Sequence, residues 1–304
     1  MQGKVLESLG SKLAEGWIAQ LLTPAFVFWA GGVAAWVWRF GWAAFEQWVT
    51  AQAEVVQIIL IAGGLVGLVA SALVVRSLEL SVLRLLEGYW PRWLRGLRRG
   101  SLGGLIADYE RTRRDWEILQ TKTSRTFDDE EDLALLEAKL RRFPVAIDQF
   151  LPTRLGNILR AERRMSDKYG LEVVTCWPRL WLLLTDGERK ELADTRTRLD
   201  LGARVWLWSV LFVVWSGLAW WAAPLGIVGA IASYRQLLGA AEAYGLLLES
   251  AFDVRRGALY AALRWPLPAT PAEEEALGRA LSAYLHRGSD RTSPTFSPPL
   301  KPDR

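Results

Sequence analysis

The chain has 304 residues and a formal net charge of +4, and 51% of its residues are hydrophobic while 23% are charged. This balance fits neither a disordered chain nor a wholly apolar one. Its one cysteine, Cys176, and its one histidine, His286, exclude a disulfide framework, a Cys/His metal cluster and any catalytic design that needs two histidines. The sequence has no nucleotide-binding glycine motif, nucleophile elbow or metal-ligand spacing, so we expect no cofactor, no metal and no enzymatic activity.

Three long uncharged stretches indicate the class of protein. They cover residues 16–38, 55–75 and 205–234, which are 23, 21 and 30 residues long. A helix needs about 20 apolar residues to cross a bilayer core, so each stretch is long enough. The sequence therefore predicts an integral membrane protein whose first partner is the lipid bilayer.

The first two stretches predict a hairpin of two membrane-spanning helices. In the connector at 39–54, Trp42, Phe45 and Trp48 would hold the chain at the outer membrane interface, because aromatic residues concentrate at that depth.

A stripe of small residues lies within the second stretch. Gly63, Gly67 and Ser71 recur every four residues and leave a flat face where another helix can come close. The partner helix belongs either to the same chain or to another subunit.

The second helix is predicted to continue through residues 77–100, where apolar and basic residues form an amphipathic pattern. Such a segment can lie among lipid headgroups with its arginines on anionic lipid. The alternative is an ordinary helix packed on its own domain, with the arginines merely marking the inner side. The candidate interfacial residues are Trp90, Trp93, Arg95, Arg98 and Arg99.

Residues 76–204 predict a mainly helical cytoplasmic domain. Helical periodicity covers 105–122 and 130–143, and Thr153 is a candidate cap for the next helix. That helix carries a basic cluster that either binds an anionic ligand or lipid headgroup or forms a solvated face. The cluster consists of Arg154, Arg160, Arg163 and Arg164.

The end of this domain leads into the third apolar stretch. Residues 171–177 are rich in β-branched and apolar side chains and predict either a short strand or buried irregular chain, with Cys176 as a buried structural thiol. Residues 185–188 form a capping box that opens a helix leading into the membrane.

The third stretch predicts a second hairpin rather than one helix. It is too long for one span, and Pro224 with Gly226 marks a turn inside it, so one helix would cover about 205–222 and the next would start at Pro224. Arg235 would lie near the inner end of the second helix, with Glu242 two turns further along the same face. This arginine is either part of a water-filled path or subunit interface, or a snorkelling anchor.

The distribution of positive charge favours four spans. With four spans, 36 of the 37 Lys and Arg residues lie on one side, which the positive-inside rule makes the cytoplasm, and both termini lie there too. The fold class is therefore an all-α integral membrane protein with two hairpins and a helical domain between them. The predicted order is cytoplasmic N-terminus 1–16, transmembrane hairpin 17–75, cytoplasmic helical domain 76–204, transmembrane hairpin 205–245, cytoplasmic helical tail 246–288 and disordered C-terminus 289–304.

Three blocks of the sequence, at 151–184, 233–256 and 267–277, resemble an uncharacterised family of bacterial multi-spanning membrane proteins. The central block reads LPTRLGNILRAERRMSDKYGLEVVTCWPRLWLLL. The resemblance implies that Thr153–Asn157 and Ser233–Arg235 belong to the family pattern. It implies a bacterial inner-membrane location, and because the family has no assigned reaction it implies no catalytic residue.

Three functions compete at this point. We expect a non-enzymatic homo-oligomer, a channel or pore-type membrane effector gated by its cytoplasmic domain. The alternative is a membrane-anchored scaffold whose 76–204 domain docks a cytoplasmic protein, and an enzyme acting on lipid ranks third. Nucleic acid is not an expected partner, because residues 76–204 carry 25 basic and 21 acidic groups.

Overall fold

The computed structural model describes residues 22–161, 164–288 and 294–297, and for residues 164 and 165 it describes the backbone alone. The predicted cytoplasmic N-terminus at 1–16 lies outside the described residues, as does most of the predicted disordered C-terminus. All regular structure in these ranges is helical, which confirms the predicted all-α class. The helices are α1 (22–40), α2 (Trp42–Thr50), α3 (Glu54–Glu87), α4 (Arg95–Thr121), α5 (Phe127–Leu140), α6 (Arg154–Ala161), α7 (Arg164–Tyr169), α8 (Val173–Leu183), α9 (Asp186–Phe212), α10 (Ala222–Ala262) and α11 (Pro271–Arg287).

The chain forms two compact units. The first unit comprises residues 1–84 and 198–237, and the second comprises residues 85–197 and 238–304. The chain passes from one unit to the other within the helices α3, α9 and α10.

Two segments of the described chain contain a stretch long and apolar enough to cross a bilayer: Glu54–Thr121, which includes α3, and Asp186–Gly217, which includes α9. They support a membrane location. The four predicted spans are not confirmed, because α1 begins at the edge of the described residues and α10 is charge-free only over residues 222–234.

The predicted continuation of the second helix through residues 77–100 is confirmed as far as Glu87 and is wrong beyond it. α3 ends at Glu87, because Gly88 takes a positive φ of 99° and Pro91 follows. The chain then forms a short 3₁₀ turn at Arg92–Leu94 and restarts as α4.

In the first unit, α1 and α9 pack closely through glycines. Side-chain atoms on Gly31 and Gly32 would collide with the rings of Phe212 and Trp215. Trp215 also donates a hydrogen bond from Nε1 to the carbonyl oxygen of Phe28 at 3.1 Å. The aromatic rings therefore occupy the space that the two glycines leave.

One ion pair joins α3 to α9 within the first unit. Arg204 Nη2 lies 2.8 Å from Glu79 Oε2, and the two side chains are only 12% and 14% exposed. Next to this pair, Trp208 packs with Ala25, Ala72 and Val75 in a small core. The pair and this core set the register of α9 along α3.

In the second unit, α8, α10 and α11 enclose the main core. Phe252, Leu259 and Tyr260 of α10 are fully buried in it, with Cys176 and Leu281. The Cys176 thiol is 3.7 Å from Ser282 Oγ, and burial raises its pKa, so it is a structural thiol as expected.

The predicted strand or irregular chain at residues 171–177 is wrong, because α8 covers Val173–Leu183. Cys176 and Leu180, one helical turn apart, are buried, whereas Val174 and Pro178 face outward. Tertiary packing of this apolar stripe overrides the local preference of Val and Thr for strands.

The helix caps predicted at Thr153 and Thr185 are confirmed, and Thr270 caps α11 in the same way. Thr153 Oγ1 accepts the backbone N–H of Gly156 at 3.0 Å, and Thr270 accepts that of Glu273 at the start of α11. Thr185 and Glu188 form the predicted capping box, with Glu188 Oε2 2.7 Å from the Thr185 backbone nitrogen. Each of these caps satisfies backbone donors that the first helical turn leaves free.

The segment Thr153–Asn157, which belongs to the family resemblance, is a structural junction in the second unit. Asn157, 1% exposed, donates to the Leu151 carbonyl at 3.0 Å and accepts the Leu151 N–H at 2.7 Å. A side chain at Gly156 would collide with the carbonyl oxygen of Glu87. These residues hold α6 against the end of α3.

The crossing of α11 over Tyr169 and Gly170 depends on two glycines. Gly170 has a φ of 67°, and side-chain atoms on Gly170 or Gly278 would collide with the backbone of the facing segment. Residues 294–297 also pack on this unit, since the Phe296 ring lies 6.1 Å from that of Trp265.

We predict that Gly278→Ala destabilises the protein, because the new methyl group meets the Tyr169 carbonyl. The expected loss in the free energy of unfolding is roughly 1–3 kcal/mol, the usual cost of overpacking. Gly257→Ala is the control: Gly257 lies in α10 with open space beside it, so alanine should gain about 0.5–1 kcal/mol. Thermal unfolding of the full chain in detergent measures both, and equal melting temperatures would contradict the close crossing.

Candidate functional site on α10

Four of the charged residues of α10 in the second unit lie on one face of the helix. Glu242, Glu249, Asp253 and Arg256 follow one another at intervals of seven, four and three residues, which places them along one helical stripe. We call this stripe the polar face of α10. Residues from three other segments of the second unit bind it.

The segment after α5 binds the first position of the polar face. Arg142 Nε lies 2.8 Å from Glu242 Oε1, and Arg142 Nη2 lies 3.3 Å from Glu242 Oε2, so the contact is bidentate. Beside it is a cavity of about 260 Å³. Its lining includes Arg141, Arg142, Ile158, Glu242 and Glu249.

The end of α7 binds the middle of the polar face. Lys168 Nζ lies 3.0 Å from Asp253 Oδ1 and 3.9 Å from Glu249 Oε1. The Tyr169 hydroxyl donates a short hydrogen bond to Asp253. Burial raises the pKa of Asp253, but the hydrogen bonds from Tyr169 and Lys168 outweigh it, and the net pKa lies below its ordinary value of 3.8.

The start of α11 binds the last position of the polar face. Arg256 Nε donates to Glu274 Oε1 at 2.6 Å, and its guanidinium lies 4.3 Å from the centre of the Tyr169 ring. Arg256 therefore joins α7, α10 and α11 at one point.

The neighbouring residue Arg255 ties α10 to the start of α9. Its Nε and Nη2 each lie 3.0 Å from a carboxylate oxygen of Glu188. The backbone N–H of Thr185 and the Arg255 guanidinium hold the pKa of Glu188 below its usual range. The capping box thus has a second role that the sequence did not reveal.

The polar face is a network of ion pairs. Each of the four charged residues of the polar face has an opposite charge within 4 Å. In the described ranges, no group of three His, Cys, Asp or Glu side chains is placed to hold a metal. What such pairs can do is exchange partners when the helices move, which gives a switch between discrete arrangements.

The two residues that were predicted along one path lie two turns apart on α10, in different units. Arg235 is exposed on the part of α10 in the first unit, whereas Glu242 belongs to the second unit and pairs with Arg142. The role predicted for Arg235, path or anchor, stays a prediction.

The small-residue stripe has one end that packs on the same chain and one end that is uncovered. Ser71 Oγ accepts a hydrogen bond from Trp29 Nε1 at 3.1 Å, so that end packs on α1 of the same chain. Gly63 and Gly67 face open space, because a methyl group placed on either glycine would have no neighbouring described atom within 4 Å.

The predicted arginine cluster is only partly described. Arg154 is exposed, and Arg160 is half-buried with Nη1 donating to the Gln149 carbonyl at 2.7 Å. Arg163 and the side chain of Arg164 lie outside the described residues. The ligand role of the cluster stays a prediction. Arg160 already donates to a carbonyl group within the fold.

The candidate interfacial residues form an exposed basic segment after α3. Trp93 is 80% exposed, and Arg95, Arg98 and Arg99 are exposed beside it. Trp90 differs, because its Nε1 donates to the Leu85 carbonyl at 2.8 Å. Trp90 therefore supports the turn after α3, and the predicted lipid contact rests on the other four.

Most of the polar face was not predicted from the sequence. Its partners come from distant positions in the chain, and a Lys-Tyr pair or a single arginine is no motif. The available signal was the spacing of acidic residues along α10. The missed residues are Arg142, Lys168, Tyr169, Glu249, Asp253, Arg255, Arg256 and Glu274.

Fold and site together define an all-α protein with membrane-length apolar helices and a helical unit joined by ion pairs. No protein-family model, curated protein or solved structure matches the chain. The family resemblance drawn from the three sequence blocks therefore stays a prediction.

We predict that acid weakens the second unit through Asp253 and Glu188. Folding lowers the pKa of both carboxylates. The two carboxylates therefore stabilise the fold fully above their unfolded pKa values near 4, and this stabilisation is lost as the pH falls below about 4. Asp253→Asn should cost about 0.5–1 kcal/mol at pH 7, a small value because the pair is partly exposed, and should flatten the acid limb. Melting temperatures between about pH 3 and pH 8 test this, and an unchanged acid limb in the variant would refute it.

Proposed function

We propose that this chain is a non-enzymatic membrane protein that assembles with copies of itself and passes ions, with the second unit as its gate. In the full form of the proposal it lies in the bacterial inner membrane, and the second unit and both termini are cytoplasmic. The family resemblance and the charge distribution support these finer points.

The proposal depends on one observation, the exposure of apolar side chains on the outer half of α3. Ile58, Ile59, Leu60 and Ile61 cover a complete helical turn, and each is at least 44% exposed. No side of this turn is therefore covered by the described part of the chain. Gly63 and Gly67 expose bare backbone just below, a surface that another helix fills better than flexible acyl chains do.

The course of α10 supports gating. The helix begins in the first unit, carries Arg235 there, and continues into the second unit, where the polar face binds three other segments. An exchange of partners at Glu242 or Asp253 would act on the same helix that bears Arg235. A ligand or partner of the second unit could bias that exchange only through different affinity for the two arrangements.

A groove in the second unit supports the alternative, a membrane-anchored scaffold. A cavity of about 450 Å³ between α4 and α5 is lined by Tyr109, Trp116 and Phe143 together with Arg113 and Arg141. Aromatic residues and arginines are the side chains that dominate protein-binding sites. In this alternative, a cytoplasmic protein binds the groove.

We predict that Gly63→Leu combined with Gly67→Leu breaks the assembly, since two bulky side chains would keep neighbouring helices apart. Mass photometry of nanodisc particles should show four or more copies for the unaltered chain and one or two for the variant. Gly103→Leu, on exposed surface of α4, is the control and should leave the mass unchanged. An unaltered chain that is itself a monomer or loose dimer would favour the scaffold.

We predict that Arg235→Leu changes ion flux several-fold without changing particle mass, because the variant removes a fixed charge from the inner end of the path. Arg235→Lys keeps the charge and should retain most of the flux. Liposome assays with K⁺ and Cl⁻ gradients measure both variants. Identical flux in all three proteins would make Arg235 an anchor and remove it from the path.

A further inference from the structure

The two bilayer interfaces can be located along α3. At its start, Gln57 Nε2 donates to the carbonyls of Val49 and Gln52 at 3.1 and 3.0 Å, which fixes α2 beside it. Trp42 and Trp48 of α2 are exposed, as interfacial aromatic residues are. The next charge along α3 after Glu54 is Arg76, about 33 Å away by helical rise, which matches a hydrocarbon core of about 30 Å.

The register of α9 on α3 is fixed by contacts within the first unit. The Arg204–Glu79 ion pair lies just beyond Arg76, at the end of α3 away from α2. Further along α9, Trp208 packs on Ala72 and Val75 of α3. The position of α9 relative to the two interfaces follows from these contacts.

From that register, the α9–α10 hairpin is too short to reach the level of α2. From Arg204 to Phe212, α9 rises about 12 Å, and the 3₁₀ turn to Gly217 adds about 10 Å. From Glu79 to Glu54, α3 rises about 38 Å. The tip of the hairpin therefore ends about 15 Å short of α2, and about 17 Å past Arg76, close to the middle of the bilayer.

Side-chain contacts at the tip of the hairpin also place it short of α2. The ring of Trp215 lies 5.2 Å from that of Phe28 and 6.1 Å from that of Trp29, and Trp29 bonds to Ser71, which lies about 8 Å past Arg76 along α3 and far from α2. Beyond that level, residues 58–61 of α3 are uncovered, as they would be if the hairpin had already turned back.

A full crossing would draw charges into the bilayer. A stretch of 18 residues ending at Gly217 begins at Asp200 and includes Arg204, and the returning helix meets Arg235 after 13 uncharged residues, 222–234. Moving the tip to the outer interface would carry these groups well inside the core, where charged side chains are rare.

We infer that the α9–α10 hairpin is re-entrant: it enters the membrane from the Arg76 end of α3, turns near the midplane and leaves on the same side. Its exposed apolar residues then contact acyl chains rather than the outer headgroups. They include Trp220, Leu225 and Val228, which are 73%, 56% and 62% exposed. Because the tip is placed by contacts within one copy, the inference holds whether or not the protein conducts ions.

The test places a single reactive cysteine at the tip of the full chain in intact cells. Ser216→Cys is a small change at an exposed position, and native Cys176 is fully buried and so remains silent. In the orientation proposed above, Gln47→Cys on α2 marks the outer surface and Ala283→Cys on α11 marks the cytoplasmic side. A membrane-impermeant maleimide is then applied from outside.

The re-entrant hairpin predicts that the Gln47→Cys protein labels at least tenfold faster than the Ser216→Cys protein. The Ser216→Cys protein should label as slowly as the Ala283→Cys protein until detergent is added. Labelling at position 216 as fast as at position 47 would overturn the inference and restore four spans.

A second measurement separates the midplane from the inner surface. Bimane is attached to the Ser216→Cys protein in detergent, and the protein is then reconstituted. Its fluorescence should be quenched most strongly by lipids brominated deep in their acyl chains. Strongest quenching by lipids brominated near the headgroup would place the tip at an interface and also overturn the inference. If Ser216→Cys fails to fold, Trp220→Cys at the same tip serves for both measurements.

Discussion

The ion pair between Arg204 and Glu79 determines how the membrane-embedded part of this protein is arranged. Its two side chains are almost fully covered, so removing one partner would leave a buried charge at a cost of about 3 kcal/mol or more. α9 cannot slide along α3 without breaking the pair. The depth of the whole α9–α10 hairpin follows from that fixed point and from the rise of a helix, about 1.5 Å per residue.

Glycines have two different roles in this chain. Where the chain packs on itself, as at Gly31, Gly226 and Gly278, a side chain would collide with a neighbouring ring or carbonyl group, and the glycine is required by that contact. At Gly63 and Gly67 nothing of the described chain is near. Because a membrane helix gains no hydrophobic energy from meeting another helix, bare backbone of this kind is useful mainly for close packing against a neighbour.

The polar face of α10 holds this helix in the second unit through several weak ion pairs rather than one strong contact. Each pair is partly exposed and contributes little alone, in the range of a few tenths of a kcal/mol to about 1 kcal/mol. Three segments contribute pairs, so α10 is held firmly only while all of them are formed. Lys168 lies between two carboxylates, at 3.0 Å from Asp253 and 3.9 Å from Glu249, so a small displacement would suffice to change its partner.

The sequence by itself determined the helical class, the membrane-length apolar stretches and the caps at Thr153 and Thr185, because all of these depend on residues close together in the chain. Two predictions from local sequence were wrong. Residues 171–177 were predicted as a strand or irregular chain, but Cys176 and Leu180 lie on a helix packed in a core with α10 and α11. The second helix was predicted to continue past Gly88, but α3 ends at Glu87. The partners of Glu242, Asp253 and Arg255 could not be predicted, since a charged side chain does not specify which distant charge it will meet. Only the tertiary structure decided these pairs, and only it showed how far α9 reaches along α3, because hydropathy measures the length of an apolar stretch and not its register against a neighbouring helix.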